Sequence, residues 1–277
     1  MNMLNVNEMA EKAIQKKFRK QIWSKFTKAV NQYELIKEGD VVGVCISGGK
    51  DSILMAKLMQ MLERYSEYPF KVKYIVMDPG YSQKNRLLIE ENTKKLNIPV
   101  EIFTSDIFDA VFDIEKSPCY LCARMRRGHL YSFAQSIGCN KIALGHHFDD
   151  VIETILMGML YGSQIQTMMP KLHSTNFDGM ELIRPLYLVR EESIIAWRDH
   201  CGLEFLRCAC KFTERNYGDT DVENTSKRKE IKALIAYLKN FNPNVEANIF
   251  RSVENVNIDT VIEYKQKGVR HNFLEEY

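Results

Sequence analysis

Two hydrophobic periods alternate along this chain. Between residues 11 and 30, Ile14, Phe18, Ile22 and Phe26 recur every fourth position, which predicts a helix with one apolar stripe opposite a row of lysines. Gly39-Asp40 then makes a turn, and VVGVCI (41–46) is an unbroken apolar run typical of a strand buried on both faces. SGGKDS (47–52) follows at once, and ILMAKLMQMLERY after it has its apolar residues at helical spacing. The alternation continues as strand 71–78, helix 82–97, strand 99–107, helix 124–138 and strand 141–146. Helix 149–162, a fifth strand over 180–188 broken by Pro185, and helix 191–202 complete it. Such alternation predicts an α/β fold, a doubly wound parallel sheet of about five strands whose ligands sit at the carboxyl ends of the strands. Past residue 215 the pattern becomes polar helices, with Asn242-Pro243 a start signal for the last. The expected organisation is an N-terminal basic amphipathic helix (1–32), a central domain (33–215) and a C-terminal helical tail (216–277).

Charge adds one local feature. The net charge is only +2, so the chain as a whole is no obvious binder of polyanions. Residues 12 to 28, however, hold Lys12, Lys16, Lys17, Arg19, Lys20, Lys25 and Lys28, with Glu11 the nearby acid. Taken alone this reads as a solvated helix face, with a phosphate-facing patch as the alternative. No apolar run reaches the roughly 18 residues of a membrane span, and the first twenty residues lack the apolar core of a secretory signal. A cytoplasmic location without membrane contact is the expectation.

The seven cysteines are an odd number, which argues against a disulfide framework. Cys45, inside an apolar strand, reads as a buried filler, and Cys139 and Cys201 as structural. Cys119-Tyr-Leu-Cys122 and Cys208-Ala-Cys210 offer three or four thiolates between them. A structural zinc would use four, whereas a three-cysteine iron–sulfur site would leave one iron open for chemistry. Arg124, Arg126 and Arg127 follow the C-x-x-C, and cations there favour thiolates and anionic ligands.

Ser47-Gly48-Gly49-Lys50-Asp51-Ser52, set between a buried strand and a helix, is a phosphate-binding arrangement. Adjacent glycines let successive N–H groups point at an anion, the helix N-terminus adds its dipole, and Lys50 and the serine hydroxyls add donors. It is not a Walker A loop, which would need glycine at Val44 and a hydroxyl at Asp51. Asp78 closes the second strand, and Gly145-His146-His147-Phe148-Asp149-Asp150 closes the fourth. Carboxylates there suit magnesium, a hard cation preferring oxygen. One of Asp149 and Asp150 reads as a helix cap and the other, Asp150, as functional. For His146 and His147, shaping the turn weighs at least as much as catalysis, while His129 and His200 read as surface or cap residues.

SGGKDS is the signature of the PP-loop ATP pyrophosphatases, which cleave ATP between the α and β phosphates. That resemblance implies that Ser47 to Ser52 cradle pyrophosphate and that Asp78, Gly145 and His146 border the nucleotide. The wider order is SGGKDS, a C-x-x-C followed by two arginines, GHHFDD, Arg184-Pro185-Leu186 and a late cysteine pair. In that order the chain resembles the tRNA 2-thiocytidine synthetase family from about residue 40 to 215, assigning 33–215 to ATP binding and catalysis. The resemblance implies ATP, Mg2+ and a 4Fe–4S cluster on Cys119, Cys122 and one of the later pair, Cys210 preferred over Cys208. It also implies a homodimer, a sulfur donor such as a cysteine desulfurase, and a tRNA cytidine at position 32 whose O2 is replaced by sulfur. Lys50, Asp51, Asp150 and Arg126 carry the catalytic roles in this picture. The basic first helix and Lys227-Arg228-Lys229 would meet the RNA backbone. Two departures are visible: Arg-Cys-Ala-Cys stands where the family often has P-C-x-x-C, and the tail differs. The zinc-ribbon C-x-x-C pairs of the two-thiouridine enzymes are missing, which favours the cytidine branch. The alternatives are a cluster-bearing relative acting on uridine or a small molecule, a cluster-free adenylating PP-loop enzyme, and a nucleotide-sensing module without turnover.

Overall fold

A computed structural model describes residues 5–105, 118–206, 227–275 and 277, with residues 118–124 described by their backbone. The chain divides into two compact units, Met1–Asp150 with Met169–Glu223, and Val151–Met168 with Asn224–Tyr277.

The first unit is built on six strands: β1 Val41–Ile46, β2 Lys71–Asp78, β3 Val100–Thr104, β4 Lys141–Ala143, β5 Lys171–His173 and β6 Glu181–Ile183. Their order is β3-β2-β1-β4-β6-β5, parallel throughout except that β5 runs antiparallel to β6. The apolar runs 41–46 and 71–78 form strands with the expected bounds. The sheet has a sixth strand beyond the expected five. β5 is a short, largely exposed edge strand, and neither length nor alternation marks it in the sequence. The run expected over 180–188 pairs only through Ile183, before the proline.

Both faces of this sheet are covered, as alternate residues of β1 show. Val42, Val44 and Ile46 enter one core, together with Ile53, Leu54 and Leu58 of α3 (Lys50–Tyr65) and Trp197 of a later helix, Glu191–Cys201. Cys45 enters the opposite core with Ile75, Ile142 and Leu182, against Tyr131 and Ala134 of the helix Pro118–Ser136. Between these elements lies α4, Gln83–Lys95. The helices of 118–136, 148–162 and 191–201 are named α5, α6 and α7.

The N-terminal stretch shares the first core. α1 (Val6–Lys12) and α2 (Ser24–Gln32) are joined by two π-helical segments, Ala13–Lys17 and Arg19–Trp23, and Ile14, Phe18, Ile22 and Phe26 are buried. The cause is visible in the spacing. At 3.6 residues per turn a four-residue repeat drifts by about 40° per step, so three steps would rotate the stripe by roughly 120°. Wider i→i+5 turns absorb this drift, and the Phe18 N–H bonds the Ala13 carbonyl at 2.8 Å. Trp197 Nε1 donates to the Ala10 carbonyl at 3.4 Å, and buried Lys57 bonds Asn7, Gln60 and the Leu96 carbonyl.

In the second unit, α8 (Lys227–Lys239) and α9 (Val245–Ser252) accompany most of α6. Buried Glu153 takes ion pairs from Arg228 at 3.5 Å and Lys232 at 3.6 Å. The tail was expected to be helical to its end, yet it finishes on a hairpin, β7 Glu263–Gln266 and β8 Val269–Asn272. Its turn residues Lys267 and Gly268 both have positive φ, 51° and 86°, the backbone a tight hairpin demands. Among the described residues no helix is long and apolar enough to cross a membrane.

Candidate active site

The strand order places a topological switch between β1 and β4, where successive crossovers leave β1 in opposite directions. The carboxyl ends of these two strands carry the residues with chemistry. After Ile46, Gly48 adopts φ 81°, and Gly49, extended at φ −79° and ψ 159°, is the N-cap of α3. A β-carbon on Gly48 would also stand 2.7 Å from Ile89 Cγ1 and 2.8 Å from Leu206 Cδ1, so glycine is required twice over. Ser52 closes the loop: its Oγ accepts the Ser47 N–H at 3.1 Å, lies 3.2 Å from Ser47 Oγ and donates to the Gly49 carbonyl at 2.9 Å. No side chain caps α3, so its first-turn amides and its dipole face outward, ready for an anion.

The charges are arranged in a chain. Lys50 Nζ lies 3.2 Å from Asp51 Oδ2 and 2.9 Å from Glu191 Oε1. Burial works to lower the Lys50 pKa, but Asp51 and Glu191 outweigh it and hold the ammonium above its ordinary value. Burial pushes the Asp51 carboxyl up, against the opposing pull of His147 and Lys50. Asp51 Oδ1 is buried and, among the described residues, accepts no hydrogen bond; His147 Nε2 stands 3.8 Å away. His147 is itself buried, with Nε2 also 3.5 Å from Asp150 Oδ2. Asp150 Oδ2 accepts the His147 N–H at 3.0 Å, and the Asp150 N–H points at His147 Nδ1 at 3.4 Å. With Nδ1 facing the Asp150 N–H, Nε2 faces the carboxylates of Asp51 and Asp150. Asp149 has a different role. It takes Arg190 through Nε at 3.2 Å and Nη2 at 3.0 Å, and its Oδ2 accepts the Glu191 N–H at 2.7 Å, which fixes the start of α7.

Two openings meet at the loop. One, of about 370 Å³, is lined by Ser47, Asp51, Ser52, Gly145, His146 and Asp150 on the strand ends and by Arg126, Arg127 and Leu130 of α5. The other, of about 830 Å³, is lined by Ser47, Gly49, Lys50, Asp51 and Arg198 together with residues 203–206. Gly145 makes the join tight, since a β-carbon there would lie 3.1 Å from the Ser52 nitrogen.

The structure thus brings Ser47, Gly49, Lys50, Asp51, Ser52, Gly145, His146, Asp150 and Arg126 around one loop. Asp78 stands apart from both linings. Its buried carboxylate accepts the N–H groups of Gly80 at 2.9 Å and Tyr81 at 2.7 Å and pairs with Arg86 at 3.3 Å, shaping the turn after β2. That turn carries Tyr81, whose hydroxyl accepts from Arg126 Nη2 at 3.4 Å. Cys119 and Cys122 fall within the first five residues of α5, inside the helix rather than ahead of it, with Arg126 four positions after Cys122. Cys208 and Cys210 lie outside the described residues. Glu191, His147 and Arg127 were not among the expected site residues. Acids opening a helix read as dipole partners, and only the long-range contact to Lys50 gives Glu191 its role.

Comparison with known proteins agrees with this arrangement. A family model described as the PP-loop domain matches residues 17–214. The tRNA-cytidine(32) 2-sulfurtransferase of Vibrio parahaemolyticus is 36% identical over 250 residues, 88% of this chain and 78% of that protein. The protein of the same name from Coxiella burnetii (strain Dugway 5J108-111) is 34% identical over 260 residues, 93% of this chain and 96% of that one. Among solved structures, the U34-tRNA thiolase NcsA from Methanococcus maripaludis, determined with its [4Fe-4S] cluster, superposes with a TM-score of 0.63. It covers 84% of this chain and 77% of its own at 21% identity, so it shows a shared fold. The family read from the order of motifs is the one these relatives share. The chain belongs to the PP-loop family, in its tRNA 2-thiocytidine synthetase branch.

Proposed function

We propose that this protein is an ATP-dependent tRNA sulfurtransferase that adenylates O2 of a cytidine, at tRNA position 32 by its relatives' names, and replaces that oxygen with sulfur. The observation that carries the reading is the loop at the sheet's switch point: an uncapped helix N-terminus, a lysine held by carboxylates, and a buried Asp51 oxygen without a donor.

The chemistry balances in two steps. O2 of the base attacks the α-phosphorus of ATP and pyrophosphate leaves; sulfur then adds at C2 and AMP departs with the original oxygen. The first-turn amides of α3 receive the departing phosphates, and Lys50 exchanges Glu191 for the pyrophosphate. Asp51, through its bare Oδ1, and Asp150 fit a magnesium site completed by phosphate oxygens, the usual way this ion is held. Mg2+ would neutralise charge on the leaving group. His147 Nε2 faces both carboxylates, at 3.8 Å from Asp51 and 3.5 Å from Asp150. Arg126, fixed by Tyr81, and Arg127 supply positive charge on the α5 side of the cavity, where an adenylated base and its phosphate would lie.

The sequence offers thiol donors of the kind an iron–sulfur group takes. Cys119 and Cys122 open the helix whose next turns line the cavity, and Cys210, or Cys208 in its stead, would complete a three-cysteine set. A 4Fe–4S cluster, when bound, supplies the activated sulfur. The reading includes a homodimer working in the cytoplasm with a donor such as a cysteine desulfurase, on the strength of the motif resemblance.

The test is anaerobic. Purified protein is given ATP, Mg2+, sulfide and an unmodified tRNA transcript carrying cytidine 32, and nucleosides are analysed by mass spectrometry alongside AMP and pyrophosphate. One 2-thiocytidine per AMP, lost in Cys119→Ala and Cys122→Ala and in one variant of the later pair, is the expected result. Pyrophosphate release without thiolation, from a colourless protein, would move the assignment to a cluster-free adenylating enzyme.

A further inference from the structure

The exposed side of the N-terminal helical stretch carries more positive charge than the fold uses. Lys12, Lys16, Arg19, Lys20, Lys25 and Lys28 are all exposed, opposite the buried stripe, and among the described residues none has an ion-pair or hydrogen-bond partner for its side chain. The two acids of this stretch do not pair with them: exposed Glu8 bonds Asn5, and Glu11 is turned inward, bonding Arg64 at 3.0 and 3.1 Å and Lys57 at 3.3 Å. From Lys12 to Lys28 the row extends about 24 Å at helical rise, enough for several phosphates of one strand.

The row is also connected to the nucleotide loop. Lys17 Nζ meets His200 Nδ1 at 3.0 Å, which ties the stretch to the last turn of α7. On that same helix Arg198 lines the 830 Å³ opening together with Lys50, and Glu191 at its start holds the Lys50 ammonium. A polyanion lying along the row is therefore led by α7 toward the loop. The apolar stripe holds the stretch rigidly in the core, so little ordering cost attaches to presenting these charges.

We propose that the exposed face of residues 12–28 is the docking surface for the phosphate backbone of the RNA substrate. It positions the RNA without reading its sequence, which is the part phosphate contacts play. The inference rests on the tRNA reading above, and the experiment separates the two.

The probe is an unmodified tRNA transcript, its affinity measured at several salt concentrations for the wild type and for K16Q/R19Q/K20Q/K25Q/K28Q. Five phosphate contacts at about 0.7 to 0.9 each should make the slope of log K against log salt shallower by about 3.5 to 4.5. Affinity at moderate salt falls on the order of tenfold or more, and the KM for tRNA rises while kcat and the ATP dissociation constant stay at wild-type values. If the fivefold variant melts early, K20Q/K25Q is read in the same assay, with an expected slope change of about 1.4 to 1.8. An unchanged slope and KM would overturn the proposal, as would a defect seen only with a protein sulfur donor and absent with sulfide, which would assign the face to that donor. A wild-type protein that neither binds nor thiolates tRNA would instead overturn the function on which the inference rests.

Discussion

Gly145→Ala tests the close approach on which the nucleotide site depends. A β-carbon at this position would stand 3.1 Å from the Ser52 nitrogen, 3.2 Å from the Asp51 carbonyl carbon and 3.3 Å from Ser52 Cα. All three are backbone atoms of the first turn of α3, so no rotamer change relieves them. The strand end or the loop must shift by a few tenths of an ångström. Overpacking of this kind costs about 1–3 kcal/mol. At about 2–4 °C per kcal/mol for a chain of this size, the melting temperature should fall by roughly 2–12 °C. In the proposed function the displaced amides receive the phosphates, so part of the strain should reappear in binding: a loss of about 1–2 kcal/mol is about 5- to 30-fold in ATP affinity. Gly158→Ala is the control, because its β-carbon would lie 3.0 Å from the Gln164 carbonyl oxygen inside the second unit. It should melt earlier and bind ATP normally. Calorimetric titration of ATP and a melting scan on both variants decide the matter. Gly145→Ala with wild-type ATP affinity would refute the argument, whatever its melting temperature.

Three further outcomes follow from individual contacts. Glu191→Gln removes the resting partner of Lys50 at 2.9 Å, a pair about four-fifths buried on the lysine side. Its strength falls between exposed pairs and fully buried ones, about 1–2 kcal/mol, so ATP should bind about 5- to 30-fold tighter. Weaker binding in the same titration would mean that Glu191 aims Lys50 at the phosphates instead of restraining it. Asp40→Asn is a stability test with a pH signature. Burial pushes the Asp40 carboxyl up, but Lys141, Asn140 and the Lys37 N–H outweigh it and hold it below its ordinary 3.8. A depressed folded-state pKa gives stability that is present above the ordinary value and lost as pH falls through the folded one. Lys141 keeps Glu181 at 3.0 Å and the Leu35 carbonyl at 3.0 Å, so the variant should lose about 1.5–3 kcal/mol at neutral pH, and its stability should fall less steeply than the wild type's as pH drops below 4. Equal acid slopes in denaturant titrations at pH 3 to 7 would count against it. Gly128→Ala, inside α5 with nothing among the described residues within 4 Å of the new β-carbon, should stabilise by about 0.5–1 kcal/mol. A lower melting temperature for that variant would show that the helix packs differently there.

What could be read from the chain follows the range over which its interactions act. β1 was legible to the residue because a strand buried on both faces must be an unbroken apolar run, and β2 because its buried half, Tyr74 to Met77, is such a run. The loop was legible because two glycines between such a strand and a helix have few other uses. β5 was not, since three residues at a sheet edge carry no periodic signal, and the hairpin at Lys267-Gly268 lacks the Asn-Gly or Asp-Gly that usually marks such turns. The site was legible in its composition and not in its wiring. Lys50 and Glu191 are 141 residues apart, and Asp149 and Arg190 are 41 apart. No spacing rule predicts such pairs. Asp78 shows the same limit from the other side: a carboxylate at a strand end suggests a ligand, and the local turn takes it up instead.

The shortness of β4 explains why these pairs form where they do. It is paired to β1 only through Ala143, opposite Val44 and two residues short of the end of β1 in register, so the chain leaves the sheet beside the loop. Beyond it Leu144 still bonds the Ile183 carbonyl at 3.0 Å and Phe148 the Val189 carbonyl at 3.0 Å, so the departing segment follows the chain after β6. That course carries Gly145 across the first turn of α3 and sets Asp149 against the start of α7. One early exit from the sheet thus fixes both the tight backbone contact at Ser52 and the helix start that supplies Glu191 to Lys50. A side chain at Gly145 should accordingly disturb the Lys50–Glu191 pair as well as the phosphate amides. Combined with Glu191→Gln, the two effects on ATP affinity should fail to add, with an interaction of about 0.5 kcal/mol or more in a double-mutant cycle. Strict additivity would mean that the exit of β4 and the start of α7 are positioned independently, and that this account of the site is wrong.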